Sequence, residues 1–300
     1  MTELHGFAFI GGKAQKLSEA VIPLTDRGFL YGHSVFETLL VLNQKAVAWE
    51  DHQIRLEQSC QHAKIKPPSN ENLLLDVKKL LQYSALNTQS HTEKMQLRIV
   101  VTGGNEIPFA IRNALQESLP PSNVYLICRP VDVTSNNFLQ GITLYLTPDL
   151  RGKGLINVKS SNYLQSLIAL DDALKRNFND ALYYNDSGEI TECTTSNFVW
   201  IDCDNNFFTS HSKDHCLAGT TLILLNKCLL QIRNQEIQNT PLNIKNLSLA
   251  KGAAVISSVR GLVPVNKIDN HTFDLNETST FFKQLNLKLI EEQNLSASSF

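Results

Sequence analysis

The sharpest chemical feature of this 300-residue chain is a lysine at the end of an apolar strand and just before a helix, in Val158-Lys159-Ser160-Ser161-Asn162-Tyr163. Strand-to-helix junctions turn side chains into clefts. A lysine desolvated there gives up its proton more easily, and the neutral amine forms a Schiff base with an aldehyde. The plainer alternative is a lysine snorkelling at a strand end. Glu192, thirty-three residues later, lies on a strand that returns after one helix and one hairpin, so its carboxylate can face the same cleft; the alternative is a solvated hairpin acid. Gly219-Thr220-Thr221 opens an apolar helix with successive amides and hydroxyls, a natural seat for phosphate, although threonine also serves as a plain helix cap. Arg55 brings a guanidinium suited to bidentate phosphate contact, and Ser257-Ser258 adds hydroxyls after a strand.

Together these residue types describe pyridoxal 5'-phosphate. The lysine takes the aldehyde, the carboxylate keeps the ring nitrogen protonated so that the ring is an electron sink, and the hydroxyls and arginine hold the phosphate. The elements that must position them are legible from periodicity. Phe7 to Ile10 runs into the hairpin signal Gly11-Gly12, and Val35 to Leu42 and Lys45 to Trp49 bracket a second turn at Asn43-Gln44. Between Asp51 and Ala63 the residues His52, Leu56, Ser59, Cys60 and Ala63 recur at helical spacing, with Arg55 on the edge of that inward face. A second helix is predicted over Glu71 to Tyr83, then strands over Gln96 to Thr102 and Val124 to Pro130. The polar run from Asp132 reads as a linker, so the expected domains are 1–131, a linker at 132–140 and 141–300.

The second half predicts a strand at Ile142 to Thr147, a helix over Tyr163 to Arg176, and strands at Ala181 to Tyr184, Glu189 to Glu192, Asn197 to Ile201 and Ala253 to Ile256. Leu222 to Ile232 is apolar nearly all round and reads as a buried helix; the tail from Asn294 to Phe300 reads as frayed. A net charge of −2 gives no counterion-releasing surface for nucleic acid, and no apolar run is long enough to span a bilayer. The start, MTELHGFAFIGG, lacks the pattern of a signal peptide, and six cysteines include no CxxC pair, so a reducing cytoplasm is expected. His211, His215 and Cys216 lack a second ligand pair, and no metal is expected.

The wording and order of the motifs resemble the fold-type IV pyridoxal-phosphate enzymes, the class IV aminotransferase family. The resemblance is carried by Thr25-Asp26-Arg27-Gly28-Phe29-Leu30-Tyr31-Gly32-His33-Ser34-Val35-Phe36-Glu37-Thr38, by His52…Arg55-Leu56…Ser59, by Lys159…Asn162-Tyr163, by Thr191-Glu192-Cys193…Ser196-Asn197, by Gly219-Thr220-Thr221 and by Gly261-Leu262-Val263-Pro264-Val265. It spans residues 20 to 268.

That resemblance implies an α+β fold with a small N-terminal lobe, a larger C-terminal lobe with a barrel-like sheet, the cofactor between them, and a homodimer whose partner contributes to the site. It makes Lys159 the Schiff-base and catalytic lysine, Glu192 the pyridinium partner, and Arg55, Thr220, Thr221 and Ser258 the phosphate contacts. Tyr163 matches a residue near the phenolic oxygen, and Tyr31, Phe36, Thr38, Arg98 and Val259 match the substrate pocket. The implied activity is amino transfer between a small α-amino acid and a 2-oxo acid. The alternatives are 4-amino-4-deoxychorismate lyase, which eliminates pyruvate on the same apparatus, and a non-catalytic cofactor-binding homologue. D-amino-acid aminotransferases usually carry an arginine where this chain reads Thr102-Gly103-Gly104, and the common arginine after the phosphate motif is replaced by Leu222. Arg98 matches an arginine of the branched-chain enzymes, while Thr191-Glu192-Cys193 and Arg260-Gly261 are lyase-like.

Overall fold

The structure is a computed structural model, and it describes residues 5–88, 94–106, 120–131, 141–150, 158–210 and 216–298. The linker expected at 132–140 and the histidine pair of 211–215 lie outside the described residues. The chain divides into two compact units. The first holds the described residues up to position 131 together with 158–162 and 296–298, and the second holds 141–150 and 163–295.

The first unit is an antiparallel sheet built from β1 (Phe7–Ile10), β2 (Lys13–Lys16), β3 (Ser34–Leu42), β4 (Lys45–Val47), β5 (Lys94–Thr102), β6 (Asn123–Pro130) and β16 (Ala297–Ser298), in the order β16-β4-β3-β5-β6-β1-β2. Both predicted hairpins form. Gly11, Gly12, Asn43 and Gln44 all have positive φ, the left-handed pair that matches strand twist in a two-residue turn. Alternation on β3 sends Val35, Leu39 and Val41 into a core with Leu97, Ile99 and Val101 of β5. That face is covered by α2 (Trp49–His62) and α3 (Asn70–Asn87), which contribute Leu56, Cys60, Leu73, Val77, Leu80 and Leu81. Phe36 and Thr38 point to the opposite face, where Arg98 is the cross-strand neighbour of Thr38. A short helix, α1 (Arg27–Tyr31), is capped by the buried Asp26, whose carboxylate accepts from Gly28, Thr102, Asn123 and Tyr125.

The second unit contains β7 (Ile142–Pro148), β8 (Asp180–Tyr184), β9 (Ile190–Cys193), β10 (Asn197–Ile201), β11 (Phe207–Thr209), β12 (Gln238–Asn239), β13 (Gly252–Ser257), β14 (Gly261–Ile268) and β15 (His271–Thr272). Neighbouring strands run β10-β13-β14-β7-β8-β9, and a pairing of Glu192 with Asn197 returns β9 to β10, closing a six-strand, barrel-like sheet. Its interior is filled by Leu144, Leu182, Ile190, Phe198, Val255, Val263 and Val265. Among the described residues this unit has three α-helices: α4 (Leu164–Lys175), α5 (Thr220–Arg233) and α6 (Leu275–Leu295). The mixed α+β class with a barrel-like C-terminal sheet is the one the motif order implied.

Two sequence expectations are corrected. The tail is not frayed over its described part: α6 continues to Leu295, and β16 pairs with Val47 and Ala46 of β4. The α6 helix is capped by Asp274, whose Oδ1 accepts the Asn276 amide at 2.8 Å, and Phe281, Phe282, Leu285 and Leu289 are buried at helical spacing. The α5 helix is not buried all round, because Ile223 is 57% exposed while Leu225, Cys228 and Leu229 form its inner face.

Candidate active site

Lys159 belongs to the first unit although it lies far along the chain. The 158–162 segment joins the edge of β3: Phe36 N–H donates to the Lys159 carbonyl at 2.9 Å and Ser161 N–H to the Ser34 carbonyl at 3.0 Å. Val158 packs into the core beneath, so alternation turns Lys159 the other way, and its Nζ lies 4.7 Å from the centroid of the Phe36 ring. The Arg98 guanidinium lies 3.9 Å from the same centroid. On the α2 side the Lys159 amide donates to the Ser59 hydroxyl at 3.3 Å, a partly buried link from the lysine segment to the helix that carries Arg55.

Arg55 is itself buried and forks onto Glu37: Nε donates to Oε1 and Nη2 to Oε2, each at 2.7 Å. His52 Nδ1 also hydrogen-bonds Oε2 at 2.7 Å. Burial alone would push the Glu37 carboxyl up; the Arg55 charge and the hydrogen bonds from Arg55 and His52 override it and hold it down to about 2. Burial also pushes the His52 pKa down, against the pull of Glu37, so its ring is neutral at pH 7 and donates through Nδ1. Sequence reasoning placed Arg55 at the edge of an inward face and missed its partner. The signal was Glu37 itself, a charge inside the apolar strand SVFETLLVL.

The second unit brings together Glu192, Thr220, Thr221 and Ser258. Glu192 is not a solvated hairpin acid but a buried residue at the seam where β9 meets β10. Its Oε2 accepts the Leu217 amide at 3.2 Å, and Asn197, its cross-strand partner, donates to the Leu217 carbonyl at 2.8 Å. Both side chains therefore tether the loop that leads into α5. At the helix start the Thr221 hydroxyl donates to Ser258 Oγ at 3.2 Å, and Thr220 Oγ1 lies 3.4 Å from the same atom. The N-cap is Gly219, which makes no side-chain cap, whereas Asp26 and Ser69 cap α1 and α3 with their side chains. A Cβ at 219 would meet Asn197 Oδ1 at 2.1 Å. Three clustered hydroxyls and an uncapped helix N-terminus fit a phosphate, and Glu192 fits a protonated ring nitrogen.

The pocket residues divide. Phe36, Thr38 and Arg98 share one sheet face, and Arg98 and Lys159 both lie over the Phe36 ring. Tyr31 is 62% exposed, and its hydroxyl donates to Glu106 at 2.6 Å. Tyr163 is the N-cap residue of α4, and Val259 sits half-buried in the turn between β13 and β14. The turn that lacks the D-enzyme arginine has a steric reason for its glycines. A Cβ at Gly103 would meet His33 Nδ1 at 2.3 Å, and one at Gly104, where φ is +75°, would meet the Pro121 carbonyl at 2.0 Å. Among the described residues no group of His, Cys, Asp and Glu side chains forms a metal site, and no helix is long and apolar enough to cross a membrane.

Within the second unit, the hydroxyls at the start of α5 and the buried carboxylate of Glu192 are the groups that a phosphorylated pyridine aldehyde would call for. The profile of the class IV aminotransferases matches residues 34–268, and the chain belongs to that family of pyridoxal-phosphate-dependent enzymes. A D-alanine aminotransferase from Listeria monocytogenes is 24% identical over 282 residues, covering 91% of each chain. A Mycobacterium tuberculosis protein described as a hypothetical aminotransferase, solved in its pyridoxal-phosphate-bound form, superposes with a TM-score of 0.79 over 95% of this chain and 99% of its own at 18% identity. A Legionella pneumophila protein assigned as a 4-amino-4-deoxychorismate lyase superposes with a TM-score of 0.78 over 92% of this chain and 97% of its own at 24% identity.

Proposed function

We propose that this aminotransferase moves the amino group of a small α-amino acid to a 2-oxo acid, with Lys159 as its catalytic residue. The observation that carries the reading is the placement of Lys159 Nζ and the Arg98 guanidinium over one aromatic ring, Phe36. An amino acid has to present its amine and its carboxylate at once, and these two groups are suited to meet them. When bound, pyridoxal phosphate supplies an aldehyde to take up the amino group and a protonated ring to draw electrons from Cα. Arg55, Thr220, Thr221 and Ser258 would hold its phosphate, Glu192 its ring nitrogen, and Tyr163 would meet its phenolic oxygen. Lys159 would hold the cofactor between turnovers, and its neutral amine would take a proton from the substrate Cα and deliver one back. Phe36, Thr38 and Val259 line the side-chain pocket. Arg98 takes the carboxylate role that a side chain at Gly103 cannot fill against His33.

The exposed apolar groups Val21, Leu24, Phe29 and Tyr31 of the first unit, and Leu164, Leu167 and Ile168 on one face of α4 in the second, support a homodimer in which a second copy covers them. The cytoplasm is the proposed compartment, consistent with six free cysteines, of which Cys60, Cys128, Cys193 and Cys228 are held protonated by burial. A second reading, 4-amino-4-deoxychorismate lyase, is favoured by Arg260 in the turn that carries Ser258: its guanidinium lies 3.9 Å from the buried Asp180 carboxylate yet its side chain stays 46% exposed, a further point for a polyacidic substrate. The test is incubation with L- and D-amino acids plus pyruvate or 2-oxoglutarate, and separately with aminodeoxychorismate. Amino transfer supports the first reading; pyruvate release from aminodeoxychorismate without an amino donor replaces it with the second.

A further inference from the structure

We propose that Glu37 is a positioning residue for cofactor binding: its fork onto the guanidinium fixes the plane in which Arg55 meets the phosphate, and His52 fixes Glu37 in turn. The inference rests on the reading of Arg55 as a phosphate contact. Glu37 is 0% exposed and sits on the face of β3 packed under α2, between Val35 and Leu39. A buried ion pair in such a place adds little stability over apolar residues of the same volume, so stability alone is a weak reason for it. What the geometry supplies is direction. Nε and Nη2 both point at one carboxylate, which leaves the planar guanidinium a single orientation, and the hydrogen bond from His52 to Oε2 stops the carboxylate from turning about its own axis. An arginine otherwise loses several rotatable bonds when it takes hold of an anion; here they are already fixed in the free protein. Because Glu37 cancels the local charge of Arg55, the contribution to phosphate binding is directional rather than a matter of net charge.

The test is a double-mutant cycle on cofactor affinity, read by absorbance titration of the cofactor-free protein with pyridoxal phosphate and, in parallel, with pyridoxal, which has no phosphate. Glu37→Gln keeps the shape but sets an amide N–H₂ against one of the guanidinium donors, so the fork opens. Pyridoxal phosphate affinity is expected to fall about tenfold while pyridoxal affinity stays put. In the Arg55→Ala background the same change is expected to have no further effect. Equal loss of both ligands, a full effect persisting without Arg55, or unchanged affinity in Glu37→Gln overturns the proposal. If Arg55→Ala itself leaves pyridoxal phosphate affinity unchanged, the phosphate reading of Arg55 fails first. Should the glutamine variant not fold, Glu37→Asp, which keeps the charge but shortens its reach, is run through the same cycle with the same criteria.

Discussion

Arg55→Ala should reverse the acid response of this fold. In the intact protein Glu37 is held at about 2 against 4.5 for a free glutamate, so its contribution to stability is full above about 4.5 and is lost as pH falls toward 2. Removing Arg55 deletes two of the three 2.7 Å bonds and leaves a carboxylate at 0% exposure facing His52. Burial then dominates, and the pair takes up a proton on folding. The sign is the same whichever member holds it: a buried protonated carboxyl and a histidinium paired to a carboxylate both have folded pKa values above their unfolded ones. Stability of the variant is therefore greatest in mild acid and falls as pH rises through neutrality, by about 1.4 kcal/mol per pH unit for one proton. At pH 7 the loss relative to the parent should be about 3–5 kcal/mol, the range for breaking a buried pair by removing one partner. Urea unfolding of the cofactor-free protein between pH 4.5 and 8 measures this, followed by tryptophan fluorescence, since Trp49 reports on the first unit and Trp200 on the second. A variant that loses under about 1 kcal/mol and keeps the parent's pH profile would refute the claim that this pair is closed and buried in solution.

Three further outcomes are expected. Lys159→Ala should abolish borohydride trapping of the cofactor on the protein and lower turnover by several orders of magnitude with little change in unfolding, because the backbone bonds to Ser34 and Phe36 that hold the segment survive; mass spectrometry of the trapped peptide checks the position. Glu192→Gln should retain the cofactor and the Leu217 tether, since an amide oxygen still accepts, yet cost roughly a hundredfold to a thousandfold in turnover at saturating cofactor. Near-parental turnover would remove Glu192 from the site. Gly103→Arg, which imitates the D-enzyme turn, should destabilise the protein by about 1–3 kcal/mol through displacement of His33 and its 2.8 Å bond to the Ala63 carbonyl, and should not create D-amino-acid activity; thermal unfolding and a D-alanine assay read the two parts.

Much of this protein is written locally. Periodicity predicts α2 with Arg55 beside its buried stripe, the primed turns follow from Gly11-Gly12 and Asn43-Gln44, and Asn197–Ile201 matches its predicted strand end for end, because helix and strand periods and turn chemistry act over a few residues. The chemistry-bearing types at Lys159, Glu192 and Thr220-Thr221 are equally local, and so is the family resemblance they carry. Tertiary structure decided the partners. Nothing near position 159 states that its segment will add to β3, over a hundred residues earlier in the chain, and only that edge pairing turns Lys159 toward Phe36. Glu37 and Arg55 each look anomalous alone, a charge in an apolar strand and a charge on an inward face, and become intelligible once α2 packs across β3 and the two meet. The glycine at 103 is silent in the sequence until His33 is seen against it. A side chain's own type and period fix which way it faces, but what it faces is set by packing between elements distant in sequence, and the balance of burial against pairing there is what decides the charge of Glu37 and His52.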